Sequence, residues 1–305
     1  MTKSMNKTRE YIRLLRLPHW IKNLLVFVPL FFNTGIFNRS ALAASGAAFV
    51  SFCLLSSIIY IQNDLRDIEK DRKHSVKCRR PLASGALPIR RAYAVCGLLS
   101  VLLAAALAGL FLLHHESRTN IFRAAALLVV YTALNTGYSL GLKNIPIVDV
   151  TILAAGYVIR LLFGAAACGV EVSVWLYLVI TMGAYYMGLG KRRNEILSGE
   201  KETRTVMRYY SHSFLDKNMY ISQALCIVFY AMWSIDPITV KNLNTSAFVY
   251  TIPLIFIILL KYSYNVETGT DGDPAPVLLH DKTLIVLCGI YLACAFCIIY
   301  LRKGL

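Results

Sequence analysis

The run Asn63-Asp64-Leu65-Arg66-Asp67-Ile68-Glu69-Lys70-Asp71 sets three aspartates three and four residues apart, directly after the apolar stretch Ala41–Gln62. On a helix, Asp64, Asp67 and Asp71 share one face, with Asn63 at its edge. Carboxylates packed this closely repel, and a divalent cation relieves the repulsion. Oxygen ligands suit a hard ion such as Mg²⁺, which typically binds through one or two carboxylates plus substrate phosphates. A solvated acidic turn capping the next helix is the plainer alternative. Against it stand the position at the mouth of an apolar helix and the cations that follow: Arg72, Lys73, Lys77, Arg79 and Arg80, then Pro81-Leu82-Ala83-Ser84-Gly85. Acid followed by base in one loop suits a metal-bound diphosphate, with Arg and Lys groups neutralising the phosphate oxygens that the ion leaves uncovered. Arg79 and Arg80 are the strongest candidates, because Pro81 fixes the backbone beside them.

The elements that must hold these residues are membrane helices. The chain has 305 residues, 57% of them hydrophobic, and a mean hydropathy of +0.55. That composition predicts an all-α integral membrane protein, a single membrane domain over residues 1–305. Nine spans are expected: Ile21–Phe37, Ala41–Gln62, Ala92–Leu113, Ile121–Leu140, Ile147–Phe163, Val172–Leu189, Met219–Trp233, Ala247–Leu260 and Thr283–Leu301. Most approach the roughly 20 residues needed to cross the hydrocarbon core. The basic segment Met1–Leu17 has no long apolar run and does not read as a cleavable signal. Glu10–Asn23 reads as one amphipathic helix on the membrane surface.

With the N-terminus and the two long loops, Asn63–Arg91 and Gly190–Lys217, on the cytoplasmic side, most of the 32 Lys and Arg residues fall inside. The net charge of +15 then lies mainly on one face, where it can meet anionic lipid or phosphate. No soluble part is available to bind nucleic acid. Oligomeric state leaves no mark in the sequence. The eight cysteines have no metal-finger spacing and read as small buried apolar groups rather than disulfides. The loops follow the second and sixth spans, which suggests two four-helix halves closing one site. The segment Tyr262–Lys282 is acidic and broken by Gly and Pro.

Taken together, Asn63-Asp64-x-x-Asp67-x-x-x-Asp71 with Arg79-Arg80-Pro81-Leu82-Ala83-Ser84-Gly85 resembles the first signature of the UbiA superfamily of intramembrane prenyltransferases. The likeness spans nearly the whole chain. It includes Leu17-Pro18-His19-Trp20-Ile21-Lys22-Asn23, Leu134-Asn135-x-x-Tyr138-Ser139-x-Gly141-Leu142-Lys143, Gly156-Tyr157-Val158-Ile159-Arg160, and Gly190-Lys191-Arg192 with Glu195. It is similar above all to the branch that transfers 5-phosphoribosyl from 5-phosphoribosyl-1-diphosphate to decaprenyl phosphate. Members that use a prenyl diphosphate donor usually carry a second aspartate-rich motif after the sixth span. Here that position reads Gly190-Lys191-Arg192-Arg193-Asn194-Glu195. A phosphoribosyl donor with a 5-phosphate, meeting a polyprenyl phosphate acceptor, brings extra negative charge that calls for cations.

The resemblance implies a bacterial plasma-membrane enzyme of nine-helix UbiA type with a cytoplasmic active site and a role in cell-wall synthesis. It implies Mg²⁺ on Asp64, Asp67 and Asp71, diphosphate oxygens on Arg79 and Arg80, and the remaining phosphates on Lys22, Lys191 and Arg192. Lys73 joins the cationic loop. Asn135 and Tyr138 are candidates for a ribose hydroxyl or phosphate, or else polar links between helices. Arg160 and Asp149, both charged within the fifth span, face a partner or a wet cavity. Two rival readings remain open: a conventional prenyltransferase joining a prenyl diphosphate to an aromatic acceptor, and a transporter lined by Asp149 and Arg160.

Overall fold

A computed structural model of the protein describes residues 2–74, 76–113, 118–197, 205–268, 277 and 280–301. Among the described residues every regular element is helical. The helices are α1 (Thr2–Leu15), α2 (Val28–Phe32), α3 (Arg39–Arg66), α4 (Ile68–Arg72), α5 (Ile89–Leu113), α6 (Arg118–Leu140), α7 (Val148–Cys168), α8 (Val174–Leu197), α9 (His212–Ile235), α10 (Pro237–Leu243), α11 (Ile252–Thr268) and α12 (Lys282–Phe296). A long 3₁₀ segment, Leu17–Phe27, joins α1 to α2. The Gly/Pro-marked stretch of the expected acidic segment, with Asp271 and Asp273, lies outside the described residues.

Seven helices are long and apolar enough to cross a membrane, and eight if the pair Thr8–Leu15 and Leu17–Phe32, bent by 44°, counts as one span. Each of the nine expected spans falls on helix, but the count of nine is not reached. The shortfall is α8, which is 24 residues long yet diluted by Tyr185, Tyr186, three glycines and a cationic end. The expected single surface helix over Glu10–Asn23 also gives way. Pro18 has no N–H and crowds the residue before it. The chain turns at Arg16, whose φ of 53° is left-handed, and continues as the 3₁₀ segment.

Helices α3 and α7 form the centre: 67% and 61% of their apolar windows are buried, against 11% for α5. Phe52, Ile59, Tyr131, Ile159 and Phe163 make a core with Val26 of the 3₁₀ segment. A second core joins α8, α9, α11 and α12 around Tyr186, Met219, Tyr262 and Leu284. Outward faces of α5 and α6, with Leu98, Val101, Phe111, Phe122 and Val129, present apolar surface to lipid. The cysteines are free; Cys53 and Cys226 are buried as expected, whereas Cys294 and Cys297 are exposed.

Asp281 caps α12 through the Leu284 N–H (2.9 Å) and holds Lys261 of α11 at 2.9 Å. The Lys261 ammonium and the Leu284 amide draw its carboxyl down from the usual 3.8 to about 2. A depressed folded pKa means that the stabilisation is complete above pH 3.8 and is lost as pH falls towards 2. Asp281→Ala is therefore expected to melt a few degrees below wild type at pH 7, a gap that closes between pH 4 and pH 2 in detergent-solubilised protein.

Candidate active site

The acidic run begins where α3 ends. The expectation of one continuous helical face needs correcting, because helix α3 stops at Arg66 and Asp67 breaks the regular dihedrals before α4. Even so, Asp67 N–H donates to the Asn63 carbonyl (3.0 Å) and Asp71 N–H to the Asp67 carbonyl (2.8 Å), so helical spacing survives the break. All three aspartates therefore line one cavity of about 330 Å³.

Cations crowd these carboxylates. Arg16 Nη2 donates to Asp64 Oδ1 at 2.5 Å, and Arg80 Nη1 reaches Asp64 Oδ1 at 3.0 Å and Asp71 Oδ2 at 2.7 Å. Lys143 Nζ stands 3.8 Å from Asp67. Arg80 has the extended backbone (φ −64°, ψ 147°) that a following proline imposes. Beyond it the Pro81–Leu87 turn closes on itself, with Leu87 N–H on the Pro81 carbonyl at 3.0 Å, and buries Leu82 and Leu87 against α3 and α5.

The cavity gathers ten of the expected site residues: Lys22, Asn63, Asp64, Asp67, Asp71, Arg80, Asn135, Tyr138, Arg160 and Lys191. Lys73 and Arg79 are exposed and do not line it; Arg79 instead gives its carbonyl to Arg13 Nη2 at 2.6 Å. Arg192 does not line it either. It is wholly buried, with Nε on Asp149 Oδ2 and Nη1 on Glu195 Oε2, both at 2.6 Å. The reason is local. Gly190–Arg193 is helical within α8 rather than loop, so successive side chains point about 100° apart and Lys191, Arg192 and Arg193 cannot share one target. Arg193 turns to Asp216 and Glu267.

Sequence reasoning missed Arg16, Lys143, Tyr131, Tyr157 and Ser139, which also line the cavity. Ser139 Oγ donates to Asn63 Oδ1 at 2.6 Å. The available signals were the places of Ser139 and Lys143 within the Leu134–Lys143 motif and of Tyr157 within Gly156–Arg160; nothing in the sequence marks the left-handed turn at Arg16.

The cavity's other wall belongs to α7. Arg160 lies twelve residues from its start, about 18 Å along the axis. Its guanidinium donates to Asn23 Oδ1 (2.7 Å), the Gly156 carbonyl (2.6 Å) and Tyr131 Oη (3.0 Å). It also lies over the rings of Phe52, Tyr131 and Tyr157. Among the described residues no carboxylate pairs with Arg160, whereas the buried Arg192 and Arg193 each have two.

As a metal site the acidic cluster is open. Among the described residues no three His, Cys, Asp or Glu side chains already converge on a point. Oxygen donors on one wall of a polar cavity fit a hard ion that completes its shell with water and phosphate oxygens, not a closed protein cage.

Residues 25–287 match the UbiA prenyltransferase family. The chain belongs to that family. Among its UbiA relatives, the decaprenyl-phosphate phosphoribosyltransferase of Corynebacterium glutamicum is 35% identical over 295 residues, covering 94% of this chain and 85% of that protein. The enzyme of the same name from Mycolicibacterium smegmatis is 32% identical, covering 92% and 90%. Among solved structures, a UbiA homolog from Archaeoglobus fulgidus bound to GPP and Mg²⁺ superposes with a TM-score of 0.68 at 19% identity, over 95% of this chain and 99% of that one. At that identity the likeness speaks for the fold alone.

Proposed function

We propose that this multi-pass UbiA protein transfers a 5-phosphoribosyl group from 5-phosphoribosyl-1-diphosphate to a polyprenyl phosphate of decaprenyl type, releasing diphosphate, with Mg²⁺ as cofactor. The observation that carries the reading is one cavity with aspartates on one wall and, on another, a buried arginine with which no carboxylate among the described residues pairs. An uncompensated guanidinium in a membrane helix is costly, and a phosphate brought by substrate supplies its missing counter-charge. The phosphoribosyltransferase names of the relatives support the same choice, as does the cationic Lys191 on the cavity wall.

Mg²⁺ held by Asp64, Asp67 and Asp71 would neutralise charge on the departing diphosphate. Arg80 and Arg16, already turned towards these carboxylates, can move to phosphate oxygens and bind them in pairs. The acceptor phosphate oxygen attacks the anomeric carbon as the bond from that carbon to the diphosphate oxygen breaks. Because a phosphate is ionised at neutral pH, no general base is needed. Lys22, Lys191 and Arg160 hold the remaining phosphates, and Asn135 and Tyr138 face the sugar. The enzyme acts from the cytoplasmic side of the bacterial plasma membrane.

Purified protein supplied with Mg²⁺, polyprenyl phosphate and radiolabelled phosphoribosyl diphosphate is expected to give a labelled lipid and free diphosphate. It is expected to give no product from a prenyl diphosphate and an aromatic acceptor. The reverse pattern would replace this reading with the conventional prenyltransferase, and solute flux into liposomes without diphosphate release would replace it with the transporter.

A further inference from the structure

We infer that Arg192, Asp149 and Tyr210 form a buried brace whose task is to aim the Tyr138 hydroxyl into the cavity, which makes Arg192 a positioning residue that does not touch substrate. This rests on the cavity being the site of transfer.

The brace runs through four segments of the chain. Arg192 Nη2 on α8 donates to Tyr138 Oη on α6 at 2.9 Å. Arg192 Nε donates to Asp149 Oδ2 on α7, and the second carboxylate oxygen accepts from Tyr210 Oη at 2.6 Å. The Tyr210 oxygen in turn accepts from the Ile147 N–H, also at 2.6 Å. Ile147 is β-branched and has φ of 71°, a backbone state that such residues adopt only when their surroundings impose it. Tyr210 is itself stacked on Phe214 at 5.8 Å.

Burial of this cluster has no evident purpose as a source of stability. Breaking even with apolar side chains of the same volume is the common result for a buried ion pair. What a guanidinium supplies and an apolar side chain cannot is direction. Its planar fork donates along fixed lines to Asp149, Glu195 and Tyr138. A Tyr138 oxygen that accepts from Arg192 turns its own hydrogen away from Arg192. Tyr138 lines the cavity and Arg192 does not, so the effect of Arg192 on the chemistry passes through that hydroxyl.

The test is a double-mutant cycle between Tyr138→Phe and Tyr210→Phe. Tyr210 does not line the cavity, and the phenylalanine keeps its ring. Tyr138→Phe is expected to lower kcat/KM about tenfold, and Tyr210→Phe alone about threefold to tenfold, with the loss in kcat. Because Tyr210→Phe also takes a partner from Asp149 and from the Ile147 N–H, its melting temperature is expected to fall, by the same amount in either Tyr138 background. In the Tyr138→Phe background, Tyr210→Phe is expected to cost less than about twofold, since the group it aims is gone. Arg192→Lys, which keeps the charge but loses the fork, is expected to behave as Tyr210→Phe does. Equal losses of kcat/KM in both backgrounds, or wild-type kinetics in either single phenylalanine variant, would overturn the brace. The cycle is run with phosphoribosyl diphosphate and with a prenyl diphosphate. Turnover of the second donor alone would overturn the proposed function and leave the coupling between Tyr138 and Tyr210 readable.

Discussion

Asp67→Ala is expected to reduce transfer about a thousandfold while leaving the melting temperature of the protein nearly unchanged. Of the three aspartates, Asp67 separates the two effects best. Its side chain is 32% exposed and its lysine partner is 3.8 Å away, so a pair of this kind contributes at most about 1 kcal/mol. Asp64 is different: its side chain is 3% exposed and anchors both Arg16 and Arg80. Removing it leaves two guanidiniums without their partner, and lost activity would then mix with lost structure. A divalent ion neutralising a leaving diphosphate is worth several kcal/mol in the transition state, and about 4 kcal/mol corresponds to a factor of about a thousand. Initial rates with labelled donor over a Mg²⁺ titration, beside thermal melts of the same samples, measure both quantities. Full transfer by Asp67→Ala would remove the metal from the proposed mechanism, and raising Mg²⁺ should recover part of the rate in Asp67→Asn.

The sequence made the acidic cluster legible because helical spacing is a local property. Asp64, Asp67 and Asp71 keep their common side even where α3 breaks at Asp67, since the i to i−4 bonds continue across the break. Arg80 was legible for a similar reason, as a following proline restricts one residue and so aims one side chain. What stayed hidden was set by distant contacts. The approach of Arg16 to Asp64 joins residues 48 apart through a left-handed turn that no composition announces. Arg192 carried the right charge for a phosphate ligand, and only its burial against Asp149 separates it from Lys191 beside it. The helical period alone would have warned that neighbours in Lys191-Arg192-Arg193 point apart, but that warning needed the knowledge that α8 continues to Leu197. The same helix is the one that falls short of a span by composition. Helix α8 is enclosed by protein near the cavity, so it carries tyrosines, glycines and charges that a lipid-facing helix could not.

Gly164→Ala is expected to be the most damaging Gly→Ala change among the described glycines, costing about 3 kcal/mol or more of stability and most of the activity with it. Gly164 sits on α7 where the 3₁₀ segment Leu17–Phe27 crosses. A Cβ there would lie 2.1 Å from the Val26 carbonyl oxygen, 2.8 Å from its carbon and 2.9 Å from its Cα. All three atoms are backbone, so no rotamer change relieves the overlap and the segment itself must move. Overpacking of this kind costs about 1–3 kcal/mol where side chains can adjust, and more where they cannot. The movement also reaches the cavity. Asn23 lies three residues from Val26 and accepts from Arg160 Nε at 2.7 Å, so displacing the segment loosens the guanidinium proposed to hold a substrate phosphate. Gly97→Ala on α5 is the matched control, with nothing within 4 Å of the added methyl. There the better helix propensity of alanine predicts no loss, and a gain of up to about 1 kcal/mol. Thermal melts in detergent and yields from membranes should separate the two variants widely. Equal behaviour would mean that the 3₁₀ segment does not rest against α7 as closely as this, and the placement of Asn23 beside Arg160 would fall with it.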